Sequence, residues 1–362
     1  MTDLQGKAAK AARNLLVNCV ALDPGETLLL VREDRDVGYF DSVAPDIIAA
    51  EACAIGARVL TLSTPRVGGP DDVPAAVTAA MQEVHHTVFM NRIGDQMRFK
   101  PLPGAGSKTM VYTLDKETLA SRAAQYDHRF MVRMVDLFNR SLDDRTQWHV
   151  ICPAGTDVQG SMPPLEPGSN SGGGFAVRLF PMSVHKPVPA GTMNGQIVLQ
   201  RWITGTNTHA YSPEVHYLNA PITVQVENGH AVGFEGDRGD VDRFCAHAKM
   251  VADTFGLDQS LIHSWHAGLN PGTGYFARAK DDPVRWNGMI FGSPRHLHFH
   301  TCGDYPPGEI NWHVIDPIVT FDGETYLDAG EVRFFETPEV RELLNEFGLT
   351  PDDMKTHQDI GL

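Results

Sequence analysis

Three histidines alternate in the run Arg295-His296-Leu297-His298-Phe299-His300-Thr301-Cys302-Gly303-Asp304, and His313 and Asp316 follow after a short loop. In an extended strand successive side chains point to opposite faces, so His296, His298 and His300 would leave one side of a sheet together. Neutral imidazole is the commonest protein ligand for a divalent transition metal, and Asp316 or Asp304 would add a carboxylate oxygen to the nitrogen donors. A polar edge strand facing water is the plainer account of a lone histidine. Three in alternation, with a second cluster upstream, favour a metal site.

That second cluster is Ile262-His263-Ser264-Trp265-His266-Ala267-Gly268-Leu269-Asn270-Pro271-Gly272. A separation of three suits one face of a helical turn, whereas in a strand His263 and His266 would oppose each other and one alone would be a ligand. His266 is the expected ligand, since it abuts a glycine and proline turn where backbone can approach a bound group. Two or three imidazoles and a carboxylate around an open coordination position suit ferrous iron when dioxygen must be activated, and zinc or manganese when water must be. His263 and His185 are the candidate acid or base groups. His209 and His216 are weaker candidates for substrate contact, and Glu166 and Glu214 are isolated carboxylates that usually stay solvated. A Gly-x-Ser-x-Gly elbow, a P-loop and a His-Glu-x-x-His helix are all absent from the sequence, which argues against serine nucleophiles, mononucleotide binding and the commonest zinc-protease helix.

The elements that must position these groups fall into two halves. From 1 to 146, apolar runs at 27–31, 58–62, 87–90 and 109–113 alternate with helical periodicity at 43–56, 71–84 and 116–141, which predicts a helix-covered parallel sheet. The first turn reads Arg32-Glu33-Asp34-Arg35-Asp36-Val37-Gly38 instead of a glycine fingerprint, so this half is expected to be scaffold and not a dinucleotide site. From 147 to 362 glycine and proline become frequent. Strands are expected at 195–203, 221–227 and 313–321, with hairpin turns at Asn228-Gly229 and Asp322-Gly323, one helix at 237–255, another from Pro338 to Phe347, and a loose polar tail at 351–362. This half is the expected β-rich α+β metal-binding domain. The stretch 163–174 must be a loop, either a surface connection or a cover for the site.

The chain has 362 residues, 45 acidic against 30 basic, and a formal net charge of -15, which disfavours nucleic acid and anionic membranes as partners. Small molecules are the expected partners; a carboxylated ring would need local help from Arg178, Lys186 or Arg295. No apolar run reaches the length of a membrane span and no secretory core opens the chain, so a cytoplasmic location is expected. Its five cysteines lack Cys-x-x-Cys spacing and read as free thiols.

Pro24-Gly25-Glu26-Thr27-Leu28-Leu29-Leu30-Val31, then Gly56-Ala57-Arg58-Val59, Gly155-Thr156-Asp157, Asn194-Gly195-Gln196-Ile197-Val198-Leu199, Gly268-Leu269-Asn270-Pro271 and Thr320-Phe321-Asp322-Gly323 resemble, in that order, the aminopeptidase T superfamily. They are most similar in type to its oxygenase branch, the dihydroxypyridine ring-cleaving dioxygenases. The resemblance implies an α/β domain supporting a metal-bearing C-terminal domain, one ferrous iron held by two histidines and an aspartate, and a homo-oligomer. One family histidine precedes the Gly-Leu-x-Pro turn, where this chain has His263 and His266. The other two ligands form a His-x-Asp pair, where this chain has His313-Val314-Ile315-Asp316 and, one strand earlier, His298-Phe299-His300. The expected ligands therefore come from His266, His298, His300, His313 and Asp316. The expected activity is opening of a hydroxylated aromatic or N-heteroaromatic ring with dioxygen, with a metal-dependent hydrolase of aminopeptidase or amidohydrolase type as the alternative.

Overall fold

A computed structural model describes residues 3–69, 71–97, 101–162, 177–206, 210–303 and 308–362. The 163–174 loop, Glu166, His209 and Asp304 lie outside the described residues. No helix among the described residues is long and apolar enough to cross a membrane.

The N-terminal half builds a five-stranded parallel sheet in the order Arg58–Thr64, Thr27–Glu33, His86–Met90, Ser107–Val111, Arg178–Phe180. Leu28 to Val31 are fully buried, as a strand covered on both faces requires. Helices Val43–Ile55 and Ala75–Glu83 form where periodicity placed them, and Gly56 ends the first with a φ of +99°. The stretch at 116–141 is not one helix. It divides into Lys116–Leu119, Arg122–Gln125 and His128–Ser141; Asp115 and Asp127 cap the first and the last by accepting a backbone N–H.

Two antiparallel sheets make the rest. One has eight strands in the order His230–Glu235, Ile222–Glu227, Asn194–Leu199, Asp157–Ser161, Gln147–Ile151, Ile318–Phe321, Glu324–Asp328, Glu331–Val332. The other has six: Val215–Tyr217, Trp202–Gly205, Ile310–Ile315, His296–Thr301, Ile262–Ala267, Val188–Pro189. The Asn228-Gly229 and Asp322-Gly323 turns take positive φ at both residues, the geometry that a two-residue hairpin needs. Helix Arg238–Phe255 forms as expected, capped by Asp237.

Three expectations change. The expected strand at 313–321 breaks at Asp316, whose φ is +52°, and Pro317, so its two halves enter different sheets. The expected boundary at 146/147 is crossed in both directions: Arg178–Phe180 completes the N-terminal sheet, while Phe130, Met134 and Phe138 pack in the C-terminal core. The tail is docked, not loose. Ile360 is buried, its carbonyl accepts from Trp286 Nε1 at 2.8 Å, and the His357 N–H donates to the Pro271 carbonyl at 2.7 Å.

Candidate metal centre

Three neighbouring strands of the six-stranded sheet build one wall. Directly opposed residues of an antiparallel pair project to the same side. The register aligns His266, His298 and His313 in one row, and Ser264, His300 and Asn311 in the next. The opposite face carries Trp265, Phe299 and Trp312, which anchor the strands in the C-terminal core at 0–2% exposure. The alternation of 296–301 is thus real, but the strand is central and buried, not a wet edge.

A β-bulge changes the parity of the neighbouring strand. Ile262 pairs with Thr301 and Ser264 with His300, leaving His263 as the extra residue. His263 therefore shares the face of His266 instead of opposing it. Its ring stacks on His300 at 5.4 Å, its Nδ1 lies 2.9 Å from Ser264 Oγ, and its Nε2 lies 3.3 Å from Glu309 Oε2.

Two overlapping groups of donor atoms result. His266, His298 and His300 form one; His263, His300 and Glu309 form the other; within each, all ligand atoms lie within 4.8 Å of one another. Glu309 escaped the sequence reading. It precedes Asn311 and His313 by steps of two, so extending the period-two pattern backwards from His313 would have placed it on this face.

The arrangement fits a metal ion. His266 Nδ1–H donates to the His185 carbonyl at 3.3 Å, which fixes the tautomer and leaves the Nε2 lone pair facing the cluster. That Nε2 stands 2.9 Å from His298 Nε2. Two nitrogens held about 2.1 Å from one ion at right angles would lie about 3.0 Å apart. Burial holds His298 well below the ordinary imidazole range, so it presents a neutral lone pair at pH 7. Its Nδ1 is buried with no hydrogen-bond partner among the described residues. Ser264 Oγ, 2.9 Å from Nδ1 of both His263 and His300, can donate to one and accept from the other.

Other expected site residues fall elsewhere. Asp316 is not beside the histidines: its two oxygens accept from Arg295 Nε and Nη2 at 2.6 and 2.7 Å, because the turn at its positive φ carries it off the strand. His313 shares the row but not the cluster. Its Nδ1 lies 3.1 Å from His296 Nε2 and its Nε2 lies 3.1 Å from Thr204 Oγ1, and burial pushes it down to about 3. His185 is not placed to move protons. Its Nδ1–H donates to the Lys186 carbonyl at 2.6 Å and its Nε2 accepts the Ala267 N–H at 3.0 Å, so both ring nitrogens are spent fixing backbone beside His266. The Cys302 thiol is buried away from the cluster, with its Sγ 4.0 Å from the Ala248 carbonyl.

The turn after His266 depends on close backbone approach. A Cβ on Gly268 would meet the Gly292 carbonyl carbon at 2.2 Å, and buried Asn270 ties the turn together by donating to the Ala123 and Met182 carbonyls and accepting from Gly272 N–H. The histidine wall opens on a cavity of about 960 Å³, also lined by Asp95, Tyr112 and His128 from the N-terminal half and by Leu179 from the strand that joins its sheet. The site thus sits between the two halves.

No protein-family model matches the sequence, and no curated protein does. Among solved structures, the chain is similar to 2,5-dihydroxypyridine dioxygenase from Pseudomonas putida KT2440, with a TM-score of 0.60 over 92% of this chain and 98% of that one at 15% identity. It is also similar to AmpT from Thermus thermophilus, with a TM-score of 0.49 over 91% and 99% at 13% identity. The first likeness spans both halves and shows that the two chains share their fold.

Proposed function

We propose that this chain is a metal-dependent enzyme that holds ferrous iron on His266, His298 and His300 and opens a hydroxylated aromatic or N-heteroaromatic ring with dioxygen. The observation that carries the reading is the pair of facing nitrogens, His266 Nε2 and His298 Nε2, 2.9 Å apart in a wall that opens on a cavity of about 960 Å³. The fold shared with 2,5-dihydroxypyridine dioxygenase supports the same direction. Ferrous iron would supply the one-electron chemistry that lets dioxygen react with a closed-shell ring. The protein supplies the rest. The His185 carbonyl keeps His266 in its donor tautomer, and Ser264 does the same for His300 by accepting from its Nδ1–H while donating to His263 Nδ1. His263 Nε2 and Glu309 Oε2, 3.3 Å apart, form the acid and base pair: the carboxylate takes the proton of a substrate hydroxyl, and the His263 Nε2–H holds the carboxylate in place. Tyr112 and Phe291 offer apolar surface for a ring, edge to face at 4.8 Å.

A metal-dependent hydrolase is the second reading, and the His263, His300 and Glu309 group favours it. Sharing His300 with the first group, it offers a second position next to the first, as two-metal hydrolases use. Elemental analysis of anaerobically purified protein, followed by oxygen consumption with hydroxypyridines and phenols and by amine release from aminoacyl amides, separates the two. About one iron per chain with oxygen uptake is the expected result. Two zinc or manganese ions per chain with amine release would overturn it.

A further inference from the structure

Next to the histidine wall, two asparagines leave their carbonyl oxygens without partners among the described residues. Asn311 lies directly across from His300 on the neighbouring strand, and Asn287 comes from helix Pro283–Ile290. Both line the cavity and are buried, at 4% and 2% exposure. Both point Nδ2 at the same acceptor, the Gly205 carbonyl, at 3.5 and 3.3 Å. This shared acceptor sets the amide orientation, because flipping either side chain would put carbonyl oxygen against carbonyl oxygen. Asn287 Oδ1 and Asn311 Oδ1 then remain with no hydrogen-bond partner among the described residues. Two buried acceptors left bare cost free energy that a donor-bearing ligand would recover.

The charged groups of the cavity agree. Each lysine and arginine lining it already meets an acceptor: Arg129 meets Asp127, Arg133 meets Glu346, Lys186 meets Asp143, and Arg178 meets the Cys19 and Val20 carbonyls. An anionic ring would meet bare carbonyl oxygens beside the wall, and three of these four cations are already paired with carboxylates. Burying an unpaired carboxylate there is unfavourable.

We propose that Asn287 Oδ1 and Asn311 Oδ1 form an acceptor pair that reads hydrogen-bond donors on the substrate. The pair selects a neutral ring with free O–H or lactam N–H groups over alkylated and carboxylated rings. The inference rests on the reading of this cavity as the substrate pocket. It is tested by calorimetry on the full chain as purified, kept anaerobic so that nothing turns over, with 2-pyridone, N-methyl-2-pyridone and nicotinate as probes. Wild-type protein is expected to bind 2-pyridone at least about tenfold more tightly than either other probe. In Asn287→Leu and Asn311→Leu that preference should fall to about threefold or less, with N-methyl-2-pyridone bound as well as before or better. Equal binding of the two pyridones by wild-type protein overturns the acceptor pair alone, whether or not the variants fold. An undiminished preference in both leucine variants also overturns it. Binding of neither pyridone overturns the substrate pocket as well.

Discussion

Replacing His298 by alanine separates a metal ligand from a buried histidine of the same row. Structural zinc sites hold their metal with apparent free energies of about 10–16 kcal/mol over four ligands, or about 3 kcal/mol each. Losing one should weaken binding by a factor of about 150. The deletion also leaves a void where a ring stood at 5% exposure, at a cost of about 2–4 kcal/mol to the metal-free fold. His313→Ala is the matched control. It removes a ring at 7% exposure from the adjacent strand, directly across from His298, and breaks hydrogen bonds to His296 and Thr204. Its fold should lose a similar amount, but its metal affinity should change less than about tenfold, since His313 touches no member of the cluster through a hydrogen bond. Asp316→Asn should change affinity by about threefold at most, because that carboxylate is held by Arg295. Competition against a chromophoric chelator gives the affinities, and urea unfolding of the metal-free proteins gives the stabilities. The assignment fails if His298→Ala binds metal like the wild type, or if His313→Ala or Asp316→Asn loses a hundredfold.

Glu309→Gln should keep the metal and lower kcat by about a hundredfold, with the acidic limb of the pH profile altered, since the carboxylate that takes the substrate proton is gone; complete loss of metal would make Glu309 a ligand instead. Gly268→Ala should cost about 1–3 kcal/mol in urea unfolding and reduce metal content, because the new Cβ would meet the Gly292 backbone at 2.2 Å and push the His266 strand; an unchanged midpoint would contradict that packing. Stability of the metal-free protein should be flat above pH 6.5 and fall towards pH 4, because burial holds His128 and His247 at about 4 against an ordinary 6.5. Between those values the unfolded chain binds the extra protons, so each histidine removes up to about 1.4 kcal/mol per pH unit as the pH falls. The buried carboxyl of Glu33, pushed up by desolvation, works in the opposite sense. Equal urea midpoints at pH 7 and pH 5 would refute the balance.

The sequence was most legible where backbone is regular. The period-two run from His296 to His300 became a strand of six residues with its imidazoles on one face, and the glycine and proline turn after His266 lay where it was expected. The alternating helices and parallel strands of the N-terminal half were equally readable, because a doubly covered sheet imposes continuous apolar runs. Long-range pairing was not readable. Nothing local in the sequence states that Arg178–Phe180 adds to a sheet begun 150 residues earlier, or that Arg295 lies against Asp316.

Two of the misplaced site residues, His263 and Asp316, share a physical cause. Parity assigns a side chain to a face only while the strand stays regular, and one extra residue or one positive φ reverses it. The bulge at His263 turns a residue expected to face away into the partner of Glu309, and the turn at Asp316 sends an expected ligand to the arginine beside His296. His185 fails for a different reason: the type of a histidine says nothing about whether backbone already occupies both its nitrogens. Regular strands therefore set the nitrogen wall, and irregular residues decide which carboxylate stands beside it. That carboxylate is Glu309, four residues before His313 and in step with it, and the proposed acid and base pair depends on the bulge that turns His263 towards it, which the histidine spacing alone does not reveal.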